Sequence, residues 1–311
     1  MEHPLVSVIT VAYNSGKYIR DTIKSVLAQT YSNIEYVIGD DCSSDDTWSI
    51  INEFNDERLV AYRNESNIRE YPNRNKAIEL ATGKYLIFID GDDIIYQHGI
   101  EFYVRMMEAF PQAAMAIQKN YHNNILFPAL FEPEDILLNY FYGKSHLLTS
   151  SFSSNFFKTE VLKKWKLATK YVTGDEEIRL KIATEYPILF VAGWVTWPRE
   201  TPGQASVRMA PGTGLIEGYL FNQEIIETVK TRIEPKLVSD MRGVLKKRMA
   251  QYIIQLLRKG KIAAANTCRI RLGFGWNELI AASKFQPVFT DSLDKYTPVS
   301  PYKRGFLTKV I

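Results

Sequence analysis

The sequence predicts an α/β domain with a mainly parallel central sheet flanked by helices, followed by a helical C-terminal extension. Three observations lead there. Short apolar runs rich in β-branched residues alternate with segments of helical period through the first hundred residues. Polar and acidic clusters follow directly on those runs, and from about Leu215 the chain reads as basic helix. Parallel strands need crossover connections of about helix length, which the alternation supplies.

The first strand is LVSVITVAY, from Leu5 to Tyr13. Ser15 then offers an N-cap, and Tyr18, Ile19, Thr22, Val26 and Leu27 recur at helical spacing. IEYVIGDD, Ile34 to Asp41, is the second strand. SDDTWSIINEF is the second helix, with Asp45 and Asp46 where the helix dipole favours negative charge. RLVAYRN from Arg58 gives a third strand, NRNKAIELA from Asn73 a third helix, and YLIFIDGDD from Tyr85 a fourth strand. Past Ala109 the pattern loosens: AMAIQKNY and SSNFFK read as strands, EPEDILLNYFYG and KTEVLKKW as short helices. TGDEEIRLKIATEYPILFVAGWVTW reads as a glycine turn, a helix from about Asp175 to Tyr186 and a strand after Pro187.

In an open α/β sheet, ligands bind beyond the carboxyl ends of the strands. Tyr13, Asn14 and Ser15 follow the first strand, Asp40 and Asp41 the second, and Asp90, Asp92 and Asp93 the fourth. Three strand ends therefore aim polar groups at one crevice. No GxGxxG follows the first strand, so the dinucleotide-binding version of the architecture lacks its phosphate turn. Carboxylates as close as those of Asp90, Asp92 and Asp93 raise one another's pKa unless a cation sits among them. Mg²⁺ or Mn²⁺ meets that need through one or two carboxylates plus the phosphates of a ligand. A calcium loop of the EF-hand kind is excluded because Ile94 and Ile95 interrupt its ligand series. A solvated acidic turn is the alternative for the motif taken alone.

With 311 residues, 46% of them hydrophobic and 23% charged, the chain can bury a full core. MEHPLVSVIT has no basic region leading into a long apolar stretch, and no run reaches the ~18 apolar residues of a membrane span. A cytoplasmic protein is expected. Cys42 and Cys268 build no disulfide framework, and the four histidines show no paired spacing, so a metal site would be made mainly of oxygen. A net charge of +3 without a reader motif argues against nucleic acid as a partner.

PLVSVITVAYN, YVIGDDCSSDDT, NRNKAIELATGKYLIFIDGDD and TGDEEIRLKIA occur in this order. Together they resemble family 2 glycosyltransferases, the large inverting family with the Rossmann-like GT-A fold, over about Pro4 to Arg208. The resemblance implies a nucleotide-sugar donor, preferably a UDP-sugar, and Mn²⁺ or Mg²⁺. It implies that Thr10, Ala12 and Tyr13 line the base and ribose, that Asp41 accepts a hydrogen bond from the base, and that Arg74 lies near the diphosphate or base. Gly91 and Asp92 would also meet the donor. The metal would fall to Asp90, Asp92 and Asp93, with the direct ligand among them left open. Asp175 would be the general base that deprotonates the acceptor hydroxyl, its pKa raised by Glu176 and Glu177. Helix capping is the bland alternative for Asp175, and capping or a turn for Asp40 and Asp41.

Three departures limit the resemblance. Gly174 precedes Asp175 where the commoner spelling has Glu-Asp. The QxxRW motif of processive synthases is absent, which argues for transfer of a single sugar. The loop RETPGQASVR has no histidine where many members carry one, leaving Gln204 or Arg208 to serve there. Residues 1–212 are expected to form the catalytic domain, with 1–110 binding the donor and 111–212 the acceptor. Residues 213–311 would be a basic helical region that either lies on an anionic membrane or packs on the catalytic domain or a second copy of the chain. The acceptor is expected to be a saccharide or lipid-linked saccharide in surface polysaccharide or glycolipid synthesis. Two other readings stay open. A sugar nucleotidyltransferase would want the glycine-rich loop that VAYNSGKY lacks, and a non-catalytic nucleotide-binding scaffold would not need Asp175.

Overall fold

Alternation along the strands sets two buried faces for one sheet. The structure is a computed structural model and describes residues 3–119, 127–142, 147–171, 174–193, 195–201 and 213–287. Strands β1 (Val6–Ala12), β2 (Ile34–Asp40), β3 (Leu59–Arg63) and β4 (Tyr85–Phe88) are parallel, with β1 between β2 and β4. The sheet continues through β8 (Asn155–Lys158), β6 (Met115–Lys119), β9 (Ile188–Ala192) and β7 (Ala129–Phe131), giving the order β3-β2-β1-β4-β8-β6-β9-β7. Only β8 and β7 run against their neighbours.

Val6, Val8, Tyr36, Ile38, Ile87 and Ile89 point to one face. There they pack on α1 (Ile19–Leu27), α2 (Thr47–Ile51) and α4 (Gly99–Ala109). Ile9, Val37, Leu86 and Phe88 point to the other. They meet α3 (Glu70–Leu80), α5 (Pro133–Tyr142), α6 (Thr159–Trp165) and α7 (Gly174–Ala183). Both faces being dry, the strands read as nearly continuous apolar runs, as parallel sheets do.

Among the described residues four further helices follow: α8 (Thr213–Val229), α9 (Pro235–Arg258), α10 (Ile262–Arg271) and α11 (Trp276–Ser283). Phe221 and Ile225 of α8 and Met241 and Leu245 of α9 join the core of the second face, whereas Ala250, Ile253, Cys268 and Leu279 form a separate cluster. Among the described residues no helix is long and apolar enough to cross a membrane.

Local contacts shift several element ends from their expected places. The Ser15 amide donates to Thr47 Oγ1 at 2.8 Å, and α1 starts a turn later, at Ile19. Helix α3 begins at Glu70 rather than Asn73, and α7 ends at Ala183 rather than Tyr186. The apolar run after Pro187 is two strands. Gly193, at φ +131°, turns the chain out of β9, and β10 (Thr196–Trp197) pairs antiparallel with β5 (Ile94–Ile95), just after the acidic motif. The aromatics of NYFYG and FSSNFF serve the core: Tyr140, Phe141, Phe152, Phe156 and Phe157 are all buried.

Candidate active site

The ends of β1, β2 and β4 lie side by side, with Ala12 opposite Asp40 and Ile9 opposite Phe88. The loops that leave these ends are tied together. Asn14, at φ +52°, donates its amide to Ser43 Oγ at 2.9 Å, and its Oδ1 accepts from the Ser44 amide at 2.9 Å. The Thr22 hydroxyl of α1 donates to the Asp93 carbonyl at 2.7 Å, which draws the acidic loop against α1. A Cβ on Gly91 would stand 3.0 Å from Ser15 Oγ and 3.3 Å from Ala12 Cβ, so a glycine suits this close approach.

Arg74 occupies the centre. Its guanidinium is buried, reaches Asp90 Oδ1 through Nη2 and Glu70 Oε1 through Nη1 at 2.5 Å, and lies 4.7 Å from the Phe152 ring centroid. Burial works against that charge, but Asp90 and Glu70 hold it protonated. Arg74 in turn pulls the Glu70 carboxyl down, yet burial and the neighbouring Asp90 and Asp175 carboxylates leave it above its usual value. Asp175 therefore belongs to the same electrostatic cluster as the acidic strand end, although 82 to 85 positions separate it from Asp90, Asp92 and Asp93 in sequence.

Asp175 sits in the first turn of α7. Its Oδ2 accepts from Arg179 Nη2 at 2.9 Å, and its backbone N–H donates to the Tyr71 hydroxyl. A Cβ at position 174 would come within 3.1 Å of the Tyr71 ring, which gives Gly174 its physical reason. The two following glutamates have partners of their own. Glu176 accepts from the Tyr140 hydroxyl at 3.0 Å, and Glu177 is buried and paired with Lys181 at 2.5 Å, so each is engaged away from Asp175.

The three motif carboxylates have different surroundings. Asp90 is partly open and paired with Arg74, and Asp92 accepts from Thr201 Oγ1 at 2.6 Å. Asp93 is buried, hydrogen-bonded to the Ser153 side chain and to the Arg199 amide at 3.1 Å. Burial first, then Asp90 and Asp92, push the Asp93 carboxyl up to about 7. Three carboxylates thus crowd one strand end, and a hard divalent cation fits them. Among the described residues no three His, Cys, Asp or Glu side chains form a cage, so ligand oxygens would have to complete the coordination.

The remaining expected residues divide by depth. Thr10 is fully buried and donates to the Ile89 carbonyl at 2.6 Å, beneath the crevice rather than on its wall. Ala12 is buried at the strand end, and Tyr13 is exposed beside it. Asp41 accepts from the Ile68 and Arg69 amides and from Asn64 Nδ2, each at 2.9 Å, which leaves about one of its four lone-pair directions open. Gln204 and Arg208 lie outside the described residues. Glu70, Tyr71 and Arg179 were not singled out from the sequence. Their placement one helical turn from Arg74 or Asp175 is the signal that could have found them.

The Asp93 environment has a pH consequence. The folded carboxyl takes up its proton near 7, whereas the unfolded one does so near 3.8. The folded state therefore binds the extra proton between these values, and this group's contribution makes stability fall as pH rises from about 4 to about 7. Urea unfolding of chelator-treated protein should show that slope reduced in Asp93→Asn. An identical slope in the variant would contradict the assignment.

The glycosyl transferase family 2 model matches residues 7–165 of the chain. Over 104 residues it is 42% identical to the UDP-Glc:alpha-D-GlcNAc-diphosphoundecaprenol beta-1,3-glucosyltransferase WfaP of Escherichia coli, covering 33% of this chain and 41% of that protein. Over 92 residues it is 47% identical to the putative teichuronic acid biosynthesis glycosyltransferase TuaG of Bacillus subtilis, covering 29% and 36%. The matched stretches thus span about two fifths of these relatives. The structure superposes on S. aureus TarS in complex with UDP-GlcNAc with a TM-score of 0.62, at 18% identity, over 78% of this chain and 72% of that one. For the mannosyltransferase PcManGT of Pyrobaculum calidifontis, in complex with GDP-Man and Mn²⁺, the TM-score is 0.53 at 17% identity, over 91% and 87%. The chain belongs to glycosyl transferase family 2, and its fold is GT-A.

Proposed function

We propose that the chain is an inverting glycosyltransferase that moves a sugar from a nucleoside diphosphate, with uridine as the preferred nucleoside, to a hydroxyl of a saccharide or lipid-linked saccharide. The observation that carries this reading is the buried Arg74 paired with Asp90 of the acidic strand end and with Glu70, whose carboxyl also feels Asp175. WfaP, by its name, uses UDP-glucose and a diphosphoundecaprenol-linked acceptor, which supports the choice of donor and acceptor class.

In this reading residues 1–212 carry the catalytic site and 213–311 form the C-terminal region, helical elements of which lie within the described residues 213–287. The crevice beside Tyr13 and the open lone pair of Asp41 receive the base. Asp90 and Asp92, on the open side of the motif, would hold a divalent cation, with Asp93 bracing the loop from beneath. Such a cation, when bound, offsets the negative charge of the donor diphosphate and of the departing nucleoside diphosphate. Arg179 fixes Asp175 through Oδ2, so Oδ1 is the oxygen that takes the proton from the acceptor hydroxyl. The hydroxyl oxygen bonds to the anomeric carbon as the bond to the diphosphate breaks on the opposite side, which inverts that carbon in one step.

Replacing Asp175 by Asn keeps the size and removes the base. Transfer from a UDP-sugar should fall by about 10²–10⁴-fold with UDP affinity nearly unchanged. Unimpaired transfer, or lost UDP binding with little change in turnover, would refute the base role.

The C-terminal helices suggest where the enzyme works. Ile262, Ile270, Trp276 and Ile280 are exposed, with Arg271 among them in sequence and Lys259, Lys261 and Lys284 flanking them. Exposed apolar groups with basic residues beside them suit peripheral contact with an anionic membrane, at roughly 1 kcal/mol per basic residue near the surface. The protein should float with vesicles containing phosphatidylglycerol and lose that association in the double variant Trp276→Ala and Ile280→Ala. Absence of flotation at low salt would end the membrane proposal.

A further inference from the structure

Beyond β10 the chain runs back along the acidic motif. Thr196 and Trp197 pair with Ile95 and Ile94, the Arg199 amide donates to Asp93 Oδ1 at 3.1 Å, and the Thr201 hydroxyl donates to Asp92 Oδ2 at 2.6 Å. Ascending positions in one segment thus meet descending positions in the other, which continues the antiparallel direction of the ribbon past its last paired residue. Residues 196–201 therefore form a strap that supplies a hydrogen-bond donor to each of two adjacent carboxylates.

The strap is held independently of those two bonds. The Tyr96 amide donates to the Val195 carbonyl at 2.9 Å, and Thr196 is fully buried with its hydroxyl 3.3 Å from that of Ser154. Further along, the Arg199 guanidinium lies 5.4 Å from the Tyr18 ring centroid and 3.4 Å from Asp21 of α1. An ion pair to a carboxylate as exposed as Asp21 contributes little in water, so the ribbon and the burial of Thr196 set the place of the strap. The Thr22 hydroxyl holds the Asp93 carbonyl from α1, and the acidic motif is thereby tied to both α1 and the strap.

The contact to Asp92 is the one that depends on residue type. The Arg199 contact comes from a backbone amide that any residue but proline supplies, whereas the bond to Asp92 needs a hydroxyl at position 201. At 2.6 Å that bond lies in the range of a charge-assisted O–H···O⁻ contact, and it fixes one oxygen of the carboxylate. A carboxylate that must be ordered when a cation arrives binds it less tightly than one already held. Hydrogen-bond partners behind metal-binding carboxylates typically change metal affinity by about 10- to 100-fold.

We propose that Thr201 is a positioning residue for the divalent cation: its hydroxyl, carried on the strap, holds the Asp92 carboxylate in the orientation that binds the cation. The inference rests on the metal-dependent donor site proposed above and adds to it a residue from the far end of the domain's sequence. It also gives the short β5–β10 ribbon a purpose, since the ribbon sets which residue of the strap reaches Asp92.

The test is the Mn²⁺ concentration that gives half-maximal UDP binding to the full chain, read by calorimetry, with GDP in place of UDP if it binds more tightly. Thr201→Val keeps the shape and removes the hydroxyl, and Thr201→Ser keeps the hydroxyl. The valine variant should need about 10- to 100-fold more Mn²⁺, and the serine variant should stay within about threefold of the wild type. Thr201→Ala, which also lacks the hydroxyl, gives the same reading if the valine variant does not fold. An unchanged Mn²⁺ requirement without the hydroxyl, even alongside a lower melting temperature in chelator, makes the bond purely structural and overturns the proposal. An equal rise in the serine variant overturns it too, and in both cases the donor site stands. Nucleotide binding by the wild type that is absent, or indifferent to Mn²⁺, overturns the metal-dependent donor site and the role of Thr201 with it.

Discussion

One buried guanidinium organises the site. Arg74 leaves α3 under the end of β4, and two carboxylates from different elements close on it, Glu70 from its own helix and Asp90 from the acidic motif. A buried arginine is tolerable only when its charge is paired, and removing a partner from such an arrangement typically costs about 3–5 kcal/mol in fully buried cases. The partial exposure of Asp90 and Glu70 lowers the figure here. The aromatic rings of Phe152, Phe88 and Tyr71 around it restrict its orientation and keep water from its face. Strand β4, helix α3 and the turn before β8 are thereby held in one register.

The geometry of the candidate site depends on that register. Tyr71, next to Glu70, meets the amide of Asp175 and so fixes the start of α7 against α3. The turn that covers Arg74 with Phe152 also supplies the Ser153 bond to Asp93. A shift of Arg74 would therefore reach the candidate metal loop and the candidate base together, through contacts that share only a few residues. Glu70 and Asp90 approach each other because the Arg74 guanidinium pairs with both.

The sequence made the strand ends legible because parallel strands buried on both faces leave an unmistakable apolar run, and each run here stops at polar residues. Asp41, Asp90, Asp92, Asp93 and Asp175 can be named as candidates from that pattern and from the family's motifs. What a side chain touches was not. Thr10 falls on the inward side of β1, and the loop 64–69 folds back on Asp41 through backbone amides that no residue type announces. Glu70 and Tyr71 were missed because α3 begins a turn earlier than its apolar pattern. The antiparallel place of β8 between β4 and β6 is a tertiary choice, and the break after β9 rests on the conformation of Gly193.

A crevice built this way should bind a nucleoside diphosphate only when cation and ligand oxygens together complete the site, since the protein's own carboxylates form no cage among the described residues. The most direct measurement is calorimetric titration of UDP, GDP and dTDP into the protein, with Mn²⁺ and with chelator. Manganese-dependent binding of UDP in preference to the other two is the predicted result. Failure of all three nucleotides to bind in the presence of Mn²⁺, or binding that is unchanged by chelator, would contradict a donor site made by the acidic strand end.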